Sequence, residues 1–493
     1  MEQGETNKKI FKSTFLFAGV QVINILTKVC INKSAAIFLG SEGVGLIGVL
    51  QTLANLIKTL FGLGVPQSSV RDISRANSEE NNHNLLITSA LTSRLIFFLS
   101  GLALLSTVVF SPILSDISFG SDVYSKEIMW VAIAVFFLLI GESYLSILKG
   151  TRNLRYLAKA TIFGSASGIF ISIPLYVFMG LDGVAISLVW TAVISTFIAK
   201  FYKEKIGLES VILDFKETIS KGSNMISMGL ALMYVSFLTL LYDYFIKSYL
   251  ANTSGMELVG YFTAGATIVT AYLGIVTSAM TTDYYPRISA VHDDNKKLTF
   301  EVNSQSKMGL YIILPLIIVL IAFLPLIIRV LYSESFLISV DYIYYAVYGT
   351  VIMVCSNAMG MILLAKQAKK IFFFSVTINR LIGVLITIAL YSIYGLKGIG
   401  ISVLLMGIFH LALMQFIMSK FYNISFDMDT IFLLLVVLLL MSVTQFLSGF
   451  GNPAYHYFSA FLIFVVSSIY SINGIQKLMG IKVYDVIKKK VRK

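Results

Sequence analysis

The sequence is short of charge: Asp, Glu, Lys and Arg make up 13% of its 493 residues, about half of what an ordinary soluble domain carries. It is shorter still of cysteine. Cys30 and Cys355 sit alone in different apolar stretches, which suggests neither a disulfide framework nor a cysteine metal site. The four histidines, His83, His292, His410 and His456, show no metal-ligand spacing, and no glycine-rich loop runs into Lys-Ser or Lys-Thr to cradle a nucleotide. The polar segments are too short for a soluble catalytic or ATPase domain. An enzyme is therefore not expected, nor a cofactor, and any transport must run on an ion gradient or on the gradient of the cargo itself.

What the chain has instead is apolar length. Fifty-seven per cent of the residues are hydrophobic and the mean hydropathy is +0.83, the composition of an integral membrane protein. A helix needs roughly 20 apolar residues to cross the ~30 Å hydrocarbon core. Stretches of that kind are expected to make about 14 transmembrane helices, at 13–39, 43–64, 85–110, 127–149, 158–180, 184–200, 223–248, 257–281, 308–331, 342–365, 371–394, 398–419, 430–449 and 455–473. The polar start MEQGETNKK and a first apolar stretch without a small-residue cleavage site suggest an uncleaved anchor.

A net charge of +12 could point to nucleic acid, but its placement argues against that partner. Lys and Arg gather in alternate loops: Lys8, Lys9 and Lys12; Arg71 and Arg75; Lys149, Arg152, Arg155 and Lys159; Lys200, Lys203, Lys205, Lys216 and Lys221. The pattern continues at Arg287, Lys296, Lys297 and Lys307, then Lys366, Lys369 and Lys370, and ends in KKKVRK. The intervening loops carry isolated charges such as Asp116, Asp122 and Glu334. The positive-inside rule then places both termini in the cytoplasm, with an even number of spans.

The chain also repeats itself. GLDGVAIS at 180–187 returns as GLKGIGIS at 395–402, and Glu42, Val44 and Gly45 return as Glu257, Val259 and Gly260, both at an offset of 215. SSVRDIS after span 2 answers YYPRISA after span 8, matching Arg71 to Arg287 and Ser74 to Ser289. LKGTR after span 4 answers AKQAK after span 10, pairing Lys149 with Lys366 at an offset of 217. Two six-helix units follow, an N-lobe at 1–205 and a C-lobe at 206–425, with two further helices and a basic tail at 426–493. Copies with an even number of spans insert the same way up, so the lobes should be related by a pseudo-twofold along the membrane normal, with the cargo site between them.

Charges inside the spans mark that site. A charged side chain at mid-bilayer costs ~2.5 to 3.5 kcal/mol on insertion scales and is functional by default. Lys28, Lys58, Arg94 and Arg380 qualify as anion ligands; Arg94 and Arg380 lie ~14 Å inside spans 3 and 11 at ~1.5 Å per residue, while Lys58 could snorkel. Helical spacing gathers Gln21, Asn24, Lys28 and Asn32 on one face of span 1, and Gln51, Asn55 and Lys58 on one face of span 2. Span 7 carries Ser236, Thr239, Asp243 and Lys247, and span 8 carries Thr263, Thr267, Thr270, Thr277 and Thr281. Such stripes either face a polar cavity or hydrogen-bond between packed helices. Glu142, Asp243, Lys247 and His410 are accessory or coupling candidates, with Gln21, Asn24 and Asn55. Asp243 and Lys247, four apart, could instead form a local ion pair, and His410 either relays protons or packs with a hydrogen bond. Asn24, Asn55 and Asn357 could bond many glycans.

AAIFLGSEGVGLIGVLQTLANLIKTLFGLGVPQSSVRDIS, LSILKGTRNLRYLA, VGYFTAGATIVTAYLGIVTSAMTTDYYPRIS and LLAKQAKKIFFF resemble the bacterial polysaccharide and O-antigen flippases of the multidrug/oligosaccharidyl-lipid/polysaccharide (MOP) exporter superfamily. The likeness covers spans 1 to 12. It implies a MATE-like, all-α fold in the bacterial inner membrane and the translocation of an undecaprenyl-pyrophosphate-linked oligosaccharide by alternating access through a cationic cavity. Membrane lipids, a glycan polymerase and a chain-length regulator are the partners it implies. Lys33 and Lys247 resemble the family's basic residues near the outer ends of spans 1 and 7. Many members have 12 spans, so spans 13 and 14 are a departure; 14 spans resemble the peptidoglycan-precursor flippases. The competing reading is a cation-coupled multidrug exporter of the same superfamily, which would want an acidic residue where span 1 offers Lys28. A glycosyltransferase or glycan polymerase would want a large outer loop, and there is none.

Overall fold

The computed structural model describes residues 2–78, 82–208, 211, 214–449 and 453–479, and within these it describes no side chain at 2–18, 215–217, 219–221, 231–232, 272–273, 275–283 or 453–454. Lys8, Lys9, Lys12, Lys216, Lys221, Thr277, Thr281 and the tail KKKVRK therefore lie outside the described side chains. Every described element is helical. Backbone groups in hydrocarbon have no water to bond, and a helix satisfies them within one segment.

Residues 1–263, with 331–333, form one compact unit. It holds α1 (Glu2–Phe38), α2 (Gly40–Gly62), α3 (Val65–Ser78), α4 (Asn82–Val109), the short α5 (Ser111–Phe119), α6 (Ser125–Gly150), α7 (Leu154–Met179), α8 (Asp182–Glu204), α9 (Phe215–Ser254) and the start of α10 (Met256–Ala290). The α2 helix is central, and α9 packs along it and along α3, α4 and α5. Where sequence spacing gives one span over 43–64, the helix breaks at Leu63 and Gly64, whose φ values are +48° and +65°. A Cβ on Gly64 would lie 2.0 Å from the Gly229 carbonyl oxygen of α9, so no other residue fits between these backbones.

Residues 264–330 and 334–493 form the second unit. Besides most of α10 it contains α11 (Asn295–Ala322), α12 (Leu324–Leu331, whose last residue belongs to the first unit), α13 (Val340–Ala365), α14 (Lys369–Tyr422), α15 (Met428–Ser448) and α16 (Pro453–Met479). Its core at one end joins Tyr284, Ile288, Val302, Met359, Ile362 and Met418. The helices beyond the repeat, α15 and α16, pack on α11. Asn303 of α11 donates to the Ser425 carbonyl (3.1 Å) and accepts from Asp427 N (2.9 Å) and Thr430 Oγ1 (2.8 Å), and Lys307 donates to Asp427 at 2.6 Å. Partial burial raises the Asp427 carboxyl, but the bonds from Lys307 and Thr430 outweigh it and hold it below its usual value.

Ten described helices are long and apolar enough to cross a membrane, eleven if the two pieces of α9, bent by 52°, count as one span. One of the ten, α14, turns at Gly395 into the two arms expected as spans 11 and 12; the expected spans 1 and 8 fall on α1 and α10, whose side chains are described in part.

The repeat is a repeat of backbone geometry. Gly180 has φ 58°, ψ −133° and Gly395 has φ 58°, ψ −141°, a left-handed turn that glycine alone takes easily. In each copy the glycine three residues on packs the returning helix against the incoming one: a Cβ on Gly183 would meet the Leu175 carbonyl oxygen at 2.4 Å, and one on Gly398 the Leu390 oxygen at 2.0 Å. Arg152 and Gln367 share φ 55°, and the turns around them bond identically, Asn153 N to Leu148 O (3.0 Å) and Ala368 N to Leu363 O (2.8 Å). This corrects the expected pairing of Lys149 with Lys366. The register is 215 here too, so Lys366 answers Thr151, because the shared turn and not the shared lysine is what the two copies keep.

Candidate functional site

The first unit holds most of the residues that spacing singled out. Along α1 the exposed apolar residues Val22, Ile23, Leu26 and Ile37 cover one side. At 100° per residue, Gln21 and Lys28 point nearly the opposite way, and both are exposed. Asn24, beside them, accepts from Ser165 of α7 at 2.7 Å, and Asn32 donates to the Tyr332 hydroxyl at 3.2 Å. Lys33 donates to the Tyr332 backbone carbonyl. Lys28 makes no ion pair or hydrogen bond among the described residues.

The α2 helix carries the clearer signal. Between Gly43 and Ile57 every residue is buried except Gln51 and Asn55. A helix packed on all other sides thus opens a stripe that is wholly polar, which hydrocarbon would not tolerate and a water-filled cavity would. One turn on, Lys58 lines a cavity of about 190 Å³ with Gly64, Gln67, Glu142 of α6 and Ser236 of α9, enough for a small anion with water. Lys58 Nζ is 3.6 Å from Glu142 Oε2, and Lys149 Nζ is 3.8 Å from the other oxygen, Oε1. The side chains of Lys58, Glu142 and Lys149 keep 28%, 30% and 44% of their surface exposed. Two ammonium groups thus share one carboxylate, at distances beyond a formed charge-assisted hydrogen bond.

Asp243 and Lys247 are held differently. Lys247 Nζ donates to Asp243 Oδ2 at 2.9 Å and to Thr52 Oγ1 of α2 at 2.7 Å, with the Gly48 carbonyl at 3.4 Å. Lys247 is 7% exposed. Nearby, α2 and α10 meet almost backbone to backbone: a Cβ on Gly45 would lie 2.1 Å from the Met256 oxygen, and one on Gly260 1.9 Å from the Ser41 oxygen. Since Ser41 and Met256 are themselves 215 apart, each copy makes the same contact with the other.

The remaining candidates stand apart. Arg94 of α4 shares its face with the exposed Phe98, Leu102 and Leu105, and its guanidinium lies 6.0 Å from the Phe98 ring centroid. In the second unit, Arg380 acts electrostatically on His410 across the two arms of α14, and His410 Nδ1 is 2.7 Å from Ser356 Oγ. Asn357 is exposed on α13. Lys149, Gln67 and Tyr332 were missed as site residues. Lys149 stands seven residues, two helical turns, after Glu142, a spacing that could have found it; Tyr332, 299 residues from Lys33, leaves no such trace.

Residues 10–292 match the family model described as polysaccharide biosynthesis protein. The chain belongs to that family. Among its relatives, the lipid III flippase of Escherichia coli (strain K12) is 21% identical over 364 residues, 73% of this chain and 86% of the relative. A Shigella flexneri protein named for O-antigen transport is 23% identical over 314 residues, 61% of this chain and 71% of that one. Among solved structures, the lipid II flippase MurJ in an inward closed conformation has a TM-score of 0.73 at 15% identity, covering 95% of this chain and 99% of its own. An inward-facing multidrug resistance MATE family transporter of the MOP superfamily reaches 0.64 at 15% identity, over 81% and 94%. The fold is thus the MATE-like fold expected from the sequence. The names borne by these relatives are those of transporters and flippases, in keeping with a carrier and not a catalyst.

Proposed function

We propose that this protein is a flippase that carries an undecaprenyl-pyrophosphate-linked oligosaccharide repeat unit across the bacterial inner membrane by alternating access, for O-antigen or another surface polysaccharide. The observation that carries the reading is the all-polar exposed stripe of α2, Gln51 and Asn55, leading to the cavity that Lys58 lines. Lys28 and Lys58 would hold the pyrophosphate by charge, which suits a doubly ionised anion better than any neutral group in the spans. Asn24 and Asn55 would bond sugar hydroxyls. Arg380 would be a further anion ligand, and Arg94 is the weakest of the four, since its face is otherwise apolar. The moving bodies would be the lobes at 1–205 and 206–425, with the basic loops and both termini in the cytoplasm, and with 426–493 as an added pair of helices. A glycan polymerase or chain-length regulator would receive the product.

A cation-coupled drug exporter wants a carboxylate open to a cation; Asp243 is already engaged by Lys247. The test is reconstitution in liposomes with a fluorescent lipid-linked oligosaccharide. The purified chain should move it between leaflets, and Lys28→Ala, Lys58→Ala and Arg380→Ala should abolish transfer while eluting as folded protein. Full transfer in all three would remove the anion assignment. Drug resistance conferred on susceptible cells, without glycan transfer, would replace this reading by the exporter.

A further inference from the structure

The arrangement of Glu142 between two lysines is unusual for a structural ion pair. A structural pair closes to hydrogen-bond distance with a buried partner, as Asp243 does at 2.9 Å with the buried Lys247. The Glu142 pairs are neither closed nor buried at either end: its two oxygens face two different, partly exposed ammonium groups at 3.6 and 3.8 Å. All three side chains remain partly exposed, and Lys58 and Glu142 line a cavity with Gln67 and Ser236. Neither lysine comes from a flexible loop, since Lys58 is in the last turns of α2 and Lys149 in the last turn of α6. Among the described residues no other cation is paired with the carboxylate. On α8, Thr196 packs against Gly141 while Lys200 pairs with Glu204; on α3, Arg71 pairs with Asp72; on α4, Arg94 lies over Phe98. Lys58, Lys149 and Glu142 together carry a net charge of about +1 near the ends of α2 and α6, with one weakly held carboxylate as the anion among the described residues.

We propose that Glu142 is a displaceable internal anion, occupying between Lys58 and Lys149 the place that a phosphate group of the cargo takes when it binds. In the empty carrier the carboxylate neutralises part of the two ammonium charges at the ends of α2 and α6. When a phosphate arrives it offers three oxygens and a higher charge, Lys58 and Lys149 transfer to it, and Glu142 swings into the open cavity. Binding is thus an exchange of anions, and Glu142 sets its strength by competing. The carboxylate also keeps singly charged anions out, since they gain too little to displace it. Lys149 becomes the second ligand of the phosphate. The proposal rests on the flippase reading for the identity of the cargo, but not for the existence of the site.

The full-length chain in lipid nanodiscs, titrated with inorganic pyrophosphate by calorimetry, tests it. With the competing carboxylate neutralised, Glu142→Gln should bind pyrophosphate about tenfold tighter than the native chain. Lys149→Gln should bind it about tenfold more weakly, and Glu142→Asp, with the carboxylate drawn back by one methylene, should fall between the native chain and Glu142→Gln. Equal or weaker binding by Glu142→Gln overturns the exchange, and so does unchanged binding by Lys149→Gln. If Glu142→Gln is not recovered as folded protein, the order of Glu142→Asp and the native chain decides. Tighter binding by Glu142→Gln in a chain that moves no lipid-linked glycan keeps the anion site and refutes the flippase. Glycan transfer with no gain in Glu142→Gln keeps the flippase and refutes the exchange.

Discussion

Two ion pairs in the first unit use the same chemistry and do opposite things. Asp243 and Lys247, one turn apart on α9, close to 2.9 Å and are tied to Thr52 on α2. Glu142, reached by Lys58 from α2 and by Lys149 from its own helix, stays beyond 3.5 Å from both. The difference lies in what surrounds them. Lys247 has a hydroxyl and a carbonyl for its remaining protons, so it can be buried without leaving a donor unmade. Among the described residues Lys58 and Lys149 reach only the Glu142 oxygens, at 3.6 and 3.8 Å, and keep 28% and 44% of their side-chain surface exposed, so they stay hydrated and exchangeable. A satisfied charge holds helices together, whereas an unsatisfied one is available to a ligand.

The contrast can be broken most sharply at the closed pair. Asp243→Ala leaves Lys247 buried without its counter-charge and should cost ~3 kcal/mol of stability, read as a lower denaturation midpoint in detergent; Asp243→Ala with Lys247→Met should recover most of it. A midpoint unchanged by Asp243→Ala would mean that the two pairs do not differ. At the open pair the loss should fall on transport. Lys58→Ala should slow glycan transfer at least about tenfold, ~1.4 kcal/mol, while changing stability by no more than ~0.5 kcal/mol, so a variant that unfolds would make this pair structural too. A third charge pair, outside the spans, gives the scale for a plain structural role. Asp427→Ala removes the cap of α15 and the partner of Lys307, and should cost ~1 kcal/mol with no effect on transfer. Because the folded Asp427 titrates below its unfolded value, its stabilisation is present above the ordinary aspartate range and disappears as pH falls through the lowered folded value. The native midpoint should therefore decline on acidification more than that of Asp427→Ala.

Spacing along single helices was enough to find the polar faces. Gln51, Asn55 and Lys58 recur at four and three, and the structure leaves the first two as the exposed residues of an otherwise buried stretch. The hairpins at Gly180 and Gly395 were legible because one backbone conformation demands glycine at the same place in both copies. The partner of Lys58 was not legible, because Glu142 lies 84 residues away on another helix and no periodicity links them. Nor was the break at Leu63: a leucine in the left-handed region is held there by its surroundings, not by its own preference.

What the sequence by itself determined is everything that depends on local rules: membrane residence from apolar length, the duplicated plan from its 215-residue echo, and the polar stripe on each span from helical period. Only the tertiary structure decided which of the buried charges are spent and which are open. That depends on whether an oxygen from a distant helix comes within 3 Å of a given ammonium, a distance set by the packing of α2, α6 and α9 and by no residue in isolation.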